Sequence, residues 1–145
     1  MDENNTIKEK EEEITDEFSL FDSWEEKYEY IIDLGKRLEP LDEKFKVEGN
    51  IIKGCQSTVW LTSYFKDGKV FYKADSDAII VKGLISMLIK VLSGHKPDEI
   101  LDAKLEFIKD IGMMTHLAQT RSNGLLSMVK QIKNYALAYK SAEAV

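Results

Sequence analysis

Between Ala78 and Leu92 apolar side chains crowd the chain: Ile79, Ile80, Leu84, Met87, Leu88, Val91 and Leu92 recur at helical spacing with few polar residues among them. A helix this apolar has to be covered on nearly every side, so other elements are expected to wrap around it. No apolar run in the chain approaches the roughly 20 residues that a membrane span needs. The acidic start of the chain is unlike a signal peptide. A cytoplasmic protein without a membrane partner is expected. One packed domain of ordinary size is also expected, since 145 residues with 43% hydrophobic content can bury a real core.

Helices flank the central one. Ser23 and Glu26 form the S-x-x-E arrangement that caps a helix start, and Trp24, Tyr28, Ile31, Ile32 and Leu38 then share a stripe. Gly35 and Pro40 mark its stop, with a short Pro-led turn through Leu41 to Phe45. Beyond the central helix, Gly94 is a stop and Pro97 opens a stretch carrying Ile100, Leu101, Leu105 and Ile108 that runs to about Gly112. A polar loop, Thr115 to Thr120, precedes a last helix with Leu125, Met128, Val129, Ile132, Ala136 and Tyr139 on one face. Before the central helix the pattern is extended. Ile51-Ile52, Val59 to Phe65 and Val70 to Lys73 read as three short antiparallel strands, with Asp67-Gly68 as the tight turn of a hairpin. The oxygens of Asp75, Ser76 and Asp77 are placed to cap the central helix. The fold class expected is α+β, a small three-stranded antiparallel sheet packed against several helices.

The formal charge of -6 is unevenly placed. Residues 1–22 hold nine acids and two bases, whereas the rest of the chain is nearly balanced. Residues 1–22 therefore read as an acidic N-terminal extension, solvated and disordered or else folded back through Ile7, Ile14, Phe18, Leu20 and Phe21, and residues 23–145 read as the domain. A near-neutral body argues against a nucleic-acid partner.

Cys55 is the single cysteine, set in Ile52-Lys53-Gly54-Cys55-Gln56-Ser57-Thr58-Val59-Trp60 where an apolar run breaks between glycine and polar residues. One thiol makes no internal disulfide. With His95 and His116 far apart in sequence, no metal-ligand set is apparent either. A lone cysteine is often a small buried hydrophobe, but one at a loop tip is reachable by another protein. His95 and His116 read as loop or capping residues, Met113-Met114 as packing, and Trp60 and Tyr64 as sheet packing rather than a cofactor site.

Three blocks resemble the SufE family of sulfur acceptors, which includes the closely related CsdE proteins. They are Gly54-Cys55-Gln56-Ser57 with Val59-Trp60, then Ala74-Asp75-Ser76-Asp77-Ala78 with Ile80-Val81-Lys82-Gly83-Leu84, then Thr120-Arg121-Ser122-Asn123-Gly124-Leu125. With the first helix they span about residues 23 to 140. The resemblance implies a SufE/IscU-like fold and a carrier that takes persulfide sulfur from a pyridoxal-phosphate cysteine desulfurase, SufS-like or CsdA-like. It further implies stimulation of that enzyme and relay of the sulfur to a SufBCD-like iron-sulfur cluster assembly complex, with no cofactor or metal of its own. Cys55 is then the persulfide acceptor, Arg121 lies near the sulfur and stabilises an anion there, and the Asp77 region holds the cysteine loop at rest. Where the family often has serine-proline-serine before the arginine, this chain has Ala118-Gln119-Thr120.

The residues fit that chemistry on their own terms. A persulfide acceptor needs one thiolate, and a second cysteine would expel the carried sulfur and close a disulfide. A thiol at its ordinary pKa is only a few per cent ionised near neutrality, so a cation helps, and Lys53 and Arg121 are the candidates. The reading from another class is a non-catalytic interaction module that regulates a partner by docking, with Cys55 structural.

Overall fold

The structure, a computed structural model, describes residues 5–143. Its organising element is the apolar helix, Ile79–Leu92, on which the other elements converge. In chain order the helices are α1 (Ile7–Phe18), α2 (Trp24–Lys36), α3 (Ile79–Leu92), α4 (Pro97–Asp102), α5 (Phe107–Asp110), α6 (Met113–His116) and α7 (Gln119–Glu143). Strands β1 (Val59–Lys66) and β2 (Lys69–Ser76) lie between α2 and α3. Leu84, Ile85, Met87, Leu88, Val91 and Leu92 of α3 are fully enclosed. Ile79, expected in the core, is 63% exposed because it begins the helix where the chain leaves the sheet.

Helix α2 crosses α3 at a pair of glycines. A methyl group built on Gly83 would lie 2.2 Å from the Ile31 carbonyl oxygen, and one on Gly35 would lie 2.8 Å from the Gly83 nitrogen. The two backbones therefore touch, and Ser86 Oγ adds a buried hydrogen bond to the Leu34 carbonyl at 2.8 Å. Ser23 caps α2 as its sequence predicts, its Oγ accepting from Glu26 N–H at 3.2 Å.

The hairpin pairs Val59 with Ser76 through Lys66 with Lys69, and both turn residues have positive φ, Asp67 at 52° and Gly68 at 77°. That is the geometry an Asp-Gly turn favours. Val59, Leu61, Val70, Tyr72 and Ala74 face inward and are buried. Tyr72 Oη donates to the Ile132 carbonyl at 2.7 Å, and Tyr135 Oη to the Leu61 carbonyl at 3.1 Å, tying the sheet to α7. The sheet is antiparallel with two strands rather than the three expected. The third is reduced to one bridge, Ile51 with Trp60, because Glu48–Asn50 winds into a 3-10 turn on one side and the cysteine loop departs on the other.

Other elements differ from the sequence pattern for identifiable reasons. The Pro-led turn is a single 3-10 turn, Glu43–Phe45, capped by Asp42. The helical stretch opened by Pro97 breaks after Asp102, with Leu105 at φ 56°. There Lys133 Nζ from α7 donates to the carbonyls of Leu101 at 3.2 Å and Ala103 at 2.5 Å, satisfying groups that a continuing helix would have bonded. The loop expected from Thr115 to Thr120 is narrower, since α6 extends to His116 and α7 begins at Gln119.

Within the acidic stretch, residues 7–18 form α1. Thr6 and Glu9 close a reciprocal capping box at its start, with bonds of 3.1 Å and 3.0 Å. Ile7, Ile14 and Phe18 are buried in the same core as α3. Phe18 also meets Tyr30 edge-on at 5.2 Å, and Tyr30 Oη bonds the Glu17 carboxylate. Glu9, Glu12 and Asp16 face outward while the apolar spacing docks the helix, which is the folded-back arrangement rather than the solvated one, and Glu11 is partly buried, its carboxyl pKa raised chiefly by that burial. Leu20 is exposed and is not one of the anchors. The first four residues lie outside the described part. Among the described residues, no helix is long and apolar enough to cross a membrane.

Candidate functional site

Residues 53–58 form a loop held at its two ends. Ile52 N–H donates to the Val59 carbonyl at 2.9 Å, closing the base. At the other end Thr58 and Asp77 exchange two bonds, Thr58 N–H to Asp77 Oδ1 at 3.1 Å and Asp77 N–H to the Thr58 carbonyl at 3.3 Å. Ser76 Oγ donates to the same Thr58 carbonyl at 2.8 Å. Contrary to the sequence expectation, the start of α3 has no side-chain cap: Ser76 Oγ accepts from the N–H of Ala78, the residue before the helix, while the Asp77 carboxylate serves the cysteine loop.

The middle of the loop lies on α7. Gly54 has φ 95°, and a methyl group there would sit 2.4 Å from Ser127 Oγ. Cys55 is half-buried, and its Sγ is 3.6 Å from the Gly124 carbonyl oxygen, to which the thiol donates. A methyl group on Gly124 would stand 3.4 Å from that sulfur. Gly54 thus lets the loop approach the helix closely, while the space at Gly124 is that of an ordinary contact.

Beside the sulfur is a pocket of about 270 Å³, lined by Cys55, Ser57, Val81, Leu84, Arg121 and Met128 among others. Its floor is hydrocarbon from α3 and α7 and its rim is polar. Burial pushes the Cys55 thiol up from its ordinary pKa, so in this position the sulfur is held as the neutral thiol. Arg121 is exposed in the first turn of α7, where the guanidinium and the positive end of the helix border one pocket.

Of the two candidate cations, the structure brings only Arg121 to the sulfur pocket. Lys53 is exposed and lines a separate pocket with Ser127, Lys130 and Asn134. His95 is buried, with ring nitrogens 3.3 Å from the Leu92 carbonyl and 3.0 Å from the Asn5 carbonyl, and His116 stacks on Trp24 at 4.0 Å. Neither lines the sulfur pocket. Among the described residues, no group of three or more His, Cys, Asp or Glu is arranged to hold a metal ion. Nearby, Asp75 bridges Lys46 at 3.0 Å and Lys82 at 3.2 Å. Burial alone would raise its carboxyl pKa, but the bonds from Lys46, the Ser76 N–H and Lys82 outweigh it and hold the carboxyl below the usual range. Gly124 stands in the third family block, whereas Ser127 escapes a reading by local pattern. Its trace in the sequence is only the run of small residues Ser122, Gly124 and Ser127 on an otherwise mixed helix.

Residues 12–136 match the family described as SufE, the Fe-S metabolism associated domain. The chain belongs to the SufE family. An uncharacterized SufE-like protein of Synechocystis sp. is 36% identical over 90% of this chain and 82% of its own length. One of Rhizobium meliloti is 37% identical over 86% of this chain and 93% of its own. The SufE-like protein 1, chloroplastic/mitochondrial, of Arabidopsis thaliana is 42% identical over 81% of this chain, which spans only 33% of that longer protein. In fold, the chain is similar to the solution structure of a hypothetical protein from Thermus thermophilus. That likeness has a TM-score of 0.76 and 17% identity, over 91% of this chain and 96% of the other. The SufE domain links the chain to Fe-S metabolism, and its match begins within α1, so the acidic helix belongs partly to the family domain.

Proposed function

We propose that this SufE-family protein accepts sulfur on Cys55 from the persulfide of a pyridoxal-phosphate cysteine desulfurase, stimulates that enzyme, and relays the sulfur to iron-sulfur cluster assembly. The observation that carries the reading is a single thiol on a loop tied at its ends and resting over a pocket that Arg121 borders. In the step itself the Cys55 thiolate attacks the terminal sulfur of the donor persulfide. The donor S–S bond breaks, its electron pair returns to the donor cysteine as a thiolate, and a new S–S bond forms on Cys55. The proton lost by Cys55 balances the one taken up by the donor thiolate, and no external oxidant or reductant is consumed.

The half-buried, neutral thiol of this structure suits a resting state. Attack needs the thiolate, so the loop has to leave the helix to reach a partner's active site, and a returning persulfide is then shielded from water and oxidants in the pocket. Arg121 is the residue we assign to stabilising the persulfide anion.

The test is incubation with a pyridoxal-phosphate cysteine desulfurase and cysteine, followed by mass spectrometry of the intact chain. The wild-type protein is expected to gain one sulfur and to raise alanine release. Cys55→Ser is expected to gain none while keeping its fold. Sulfur found on the serine variant would remove Cys55 from the role. A wild-type chain that binds the desulfurase yet gains no sulfur would favour the interaction-module reading.

A further inference from the structure

We infer that Ser127 of α7 is a positioning residue for the cysteine loop: side-chain volume at this position, facing Gly54, sets how long Cys55 stays on the helix. The inference rests on the sulfur-acceptor reading only for its consequence in transfer. The seating of the loop stands on geometry alone.

Between its tied ends the loop meets α7 at two places. One is the Cys55 thiol with the Gly124 carbonyl, at 3.6 Å. The other is Gly54 against Ser127, where even a methyl group on the glycine would lie 2.4 Å from the hydroxyl oxygen and 3.3 Å from its Cβ. That separation is far inside contact distance, so the fit exists only because residue 54 has no side chain and residue 127 has a short one. The positive φ of Gly54, 95°, turns the backbone so that its open side faces the helix. Ser127 is half-buried at the protein surface, so a larger group there has solvent on one side and the loop on the other. The loop, tied by a few hydrogen bonds at its ends, is the softer neighbour and yields first. Ser127 also lines the pocket that holds Lys53 and Lys130, which is separate from the one beside the sulfur.

The experiment measures alkylation of Cys55 by iodoacetamide across pH in the folded full chain, with thermal melts as the control for folding. Ser127→Leu is expected to alkylate roughly tenfold faster near neutrality, as the population with the loop out rises. Its pH midpoint is expected to fall toward that of an ordinary exposed thiol. Gly54→Ala is expected to act in the same direction, through backbone strain at φ 95° as well as through the contact. Ser127→Val is expected to speed alkylation by about threefold, less than leucine does, and keeps the test decisive if the leucine variant folds poorly. Wild-type rates and an unmoved midpoint in folded Ser127→Leu or folded Ser127→Val would overturn the inference. Sulfur uptake from a desulfurase is measured beside it. A seat that behaves as expected in a protein that takes up no sulfur would refute the acceptor reading and leave the seat intact.

Discussion

Two places in this molecule bring backbones together by omitting a side chain, and they differ in what stands opposite. At the α2–α3 crossing, Gly83 faces the Ile31 carbonyl, and Gly35 faces the backbone of residues 82 and 83. Both partners are helix backbone, locked into their own hydrogen bonds, and neither can retreat. At the cysteine loop, Gly54 faces the tip of one serine and Gly124 faces a sulfur. Those partners are side-chain atoms on a helix and a short tether. The same device therefore makes a permanent joint in one place and a separable contact in the other, and the opposing atom decides which.

Paired substitutions test that contrast most strongly. Gly83→Ala is expected to cost about 3 kcal/mol of stability, because the added carbon overlaps fixed backbone. Gly124→Ala is expected to change stability by less than about 1 kcal/mol, since 3.4 Å to the sulfur is an ordinary contact and alanine favours the helix. Denaturant unfolding reads both, and equal losses would erase the distinction between joint and contact. Next in size is Arg121→Ala, expected to slow single-turnover sulfur transfer roughly tenfold while desulfurase affinity changes less. An unchanged rate would take the guanidinium out of the chemistry. Asp77→Ala removes the acceptor for Thr58 N–H at the loop's end and is expected to raise Cys55 alkylation a few-fold, for a loss of about 1 kcal/mol in loop docking. The smallest effect concerns the fixed part. The depressed carboxyl pKa of Asp75 contributes stability above the usual carboxylate range that is lost as pH falls through its lowered folded value. Asp75→Asn is expected to flatten the acid limb of a stability profile by about 1 kcal/mol or less and to leave alkylation alone.

The surroundings of the permanent joint were largely legible in the sequence, because each signal there is local, but the joint was not: Gly35 reads as a helix stop, whereas it lies inside α2 against the backbone of residues 82 and 83. The apolar run of α3, the Ser23 cap, the Asp67-Gly68 turn and the spacing of Leu125, Met128 and Ile132 on α7 all report on neighbours a few residues away. Where the pattern misled, a distant group intervened. Lys133 takes the carbonyls that end α4, and the Asp77 carboxylate serves Thr58 instead of its own helix. The helix from Ile7 to Phe18 was hidden by its charge, which masks a narrow but regular apolar stripe. At the site, Cys55 and Arg121 were visible by type and by family blocks. Ser127 was not, because a serine amid a helix has no local mark of the glycine it meets from a distant part of the chain.

The bond from the Cys55 thiol to the Gly124 carbonyl exists only while sulfur keeps its hydrogen. Once that hydrogen departs, two electron-rich atoms confront each other across the same gap, and attraction becomes repulsion. On the sulfur-acceptor reading, ionisation would arm the nucleophile and loosen its own latch in a single event, and alkaline conditions are expected to favour departure from the helix and acid conditions its return. A donor enzyme that draws the hydrogen away at first encounter would need no separate signal to bring the sulfur out.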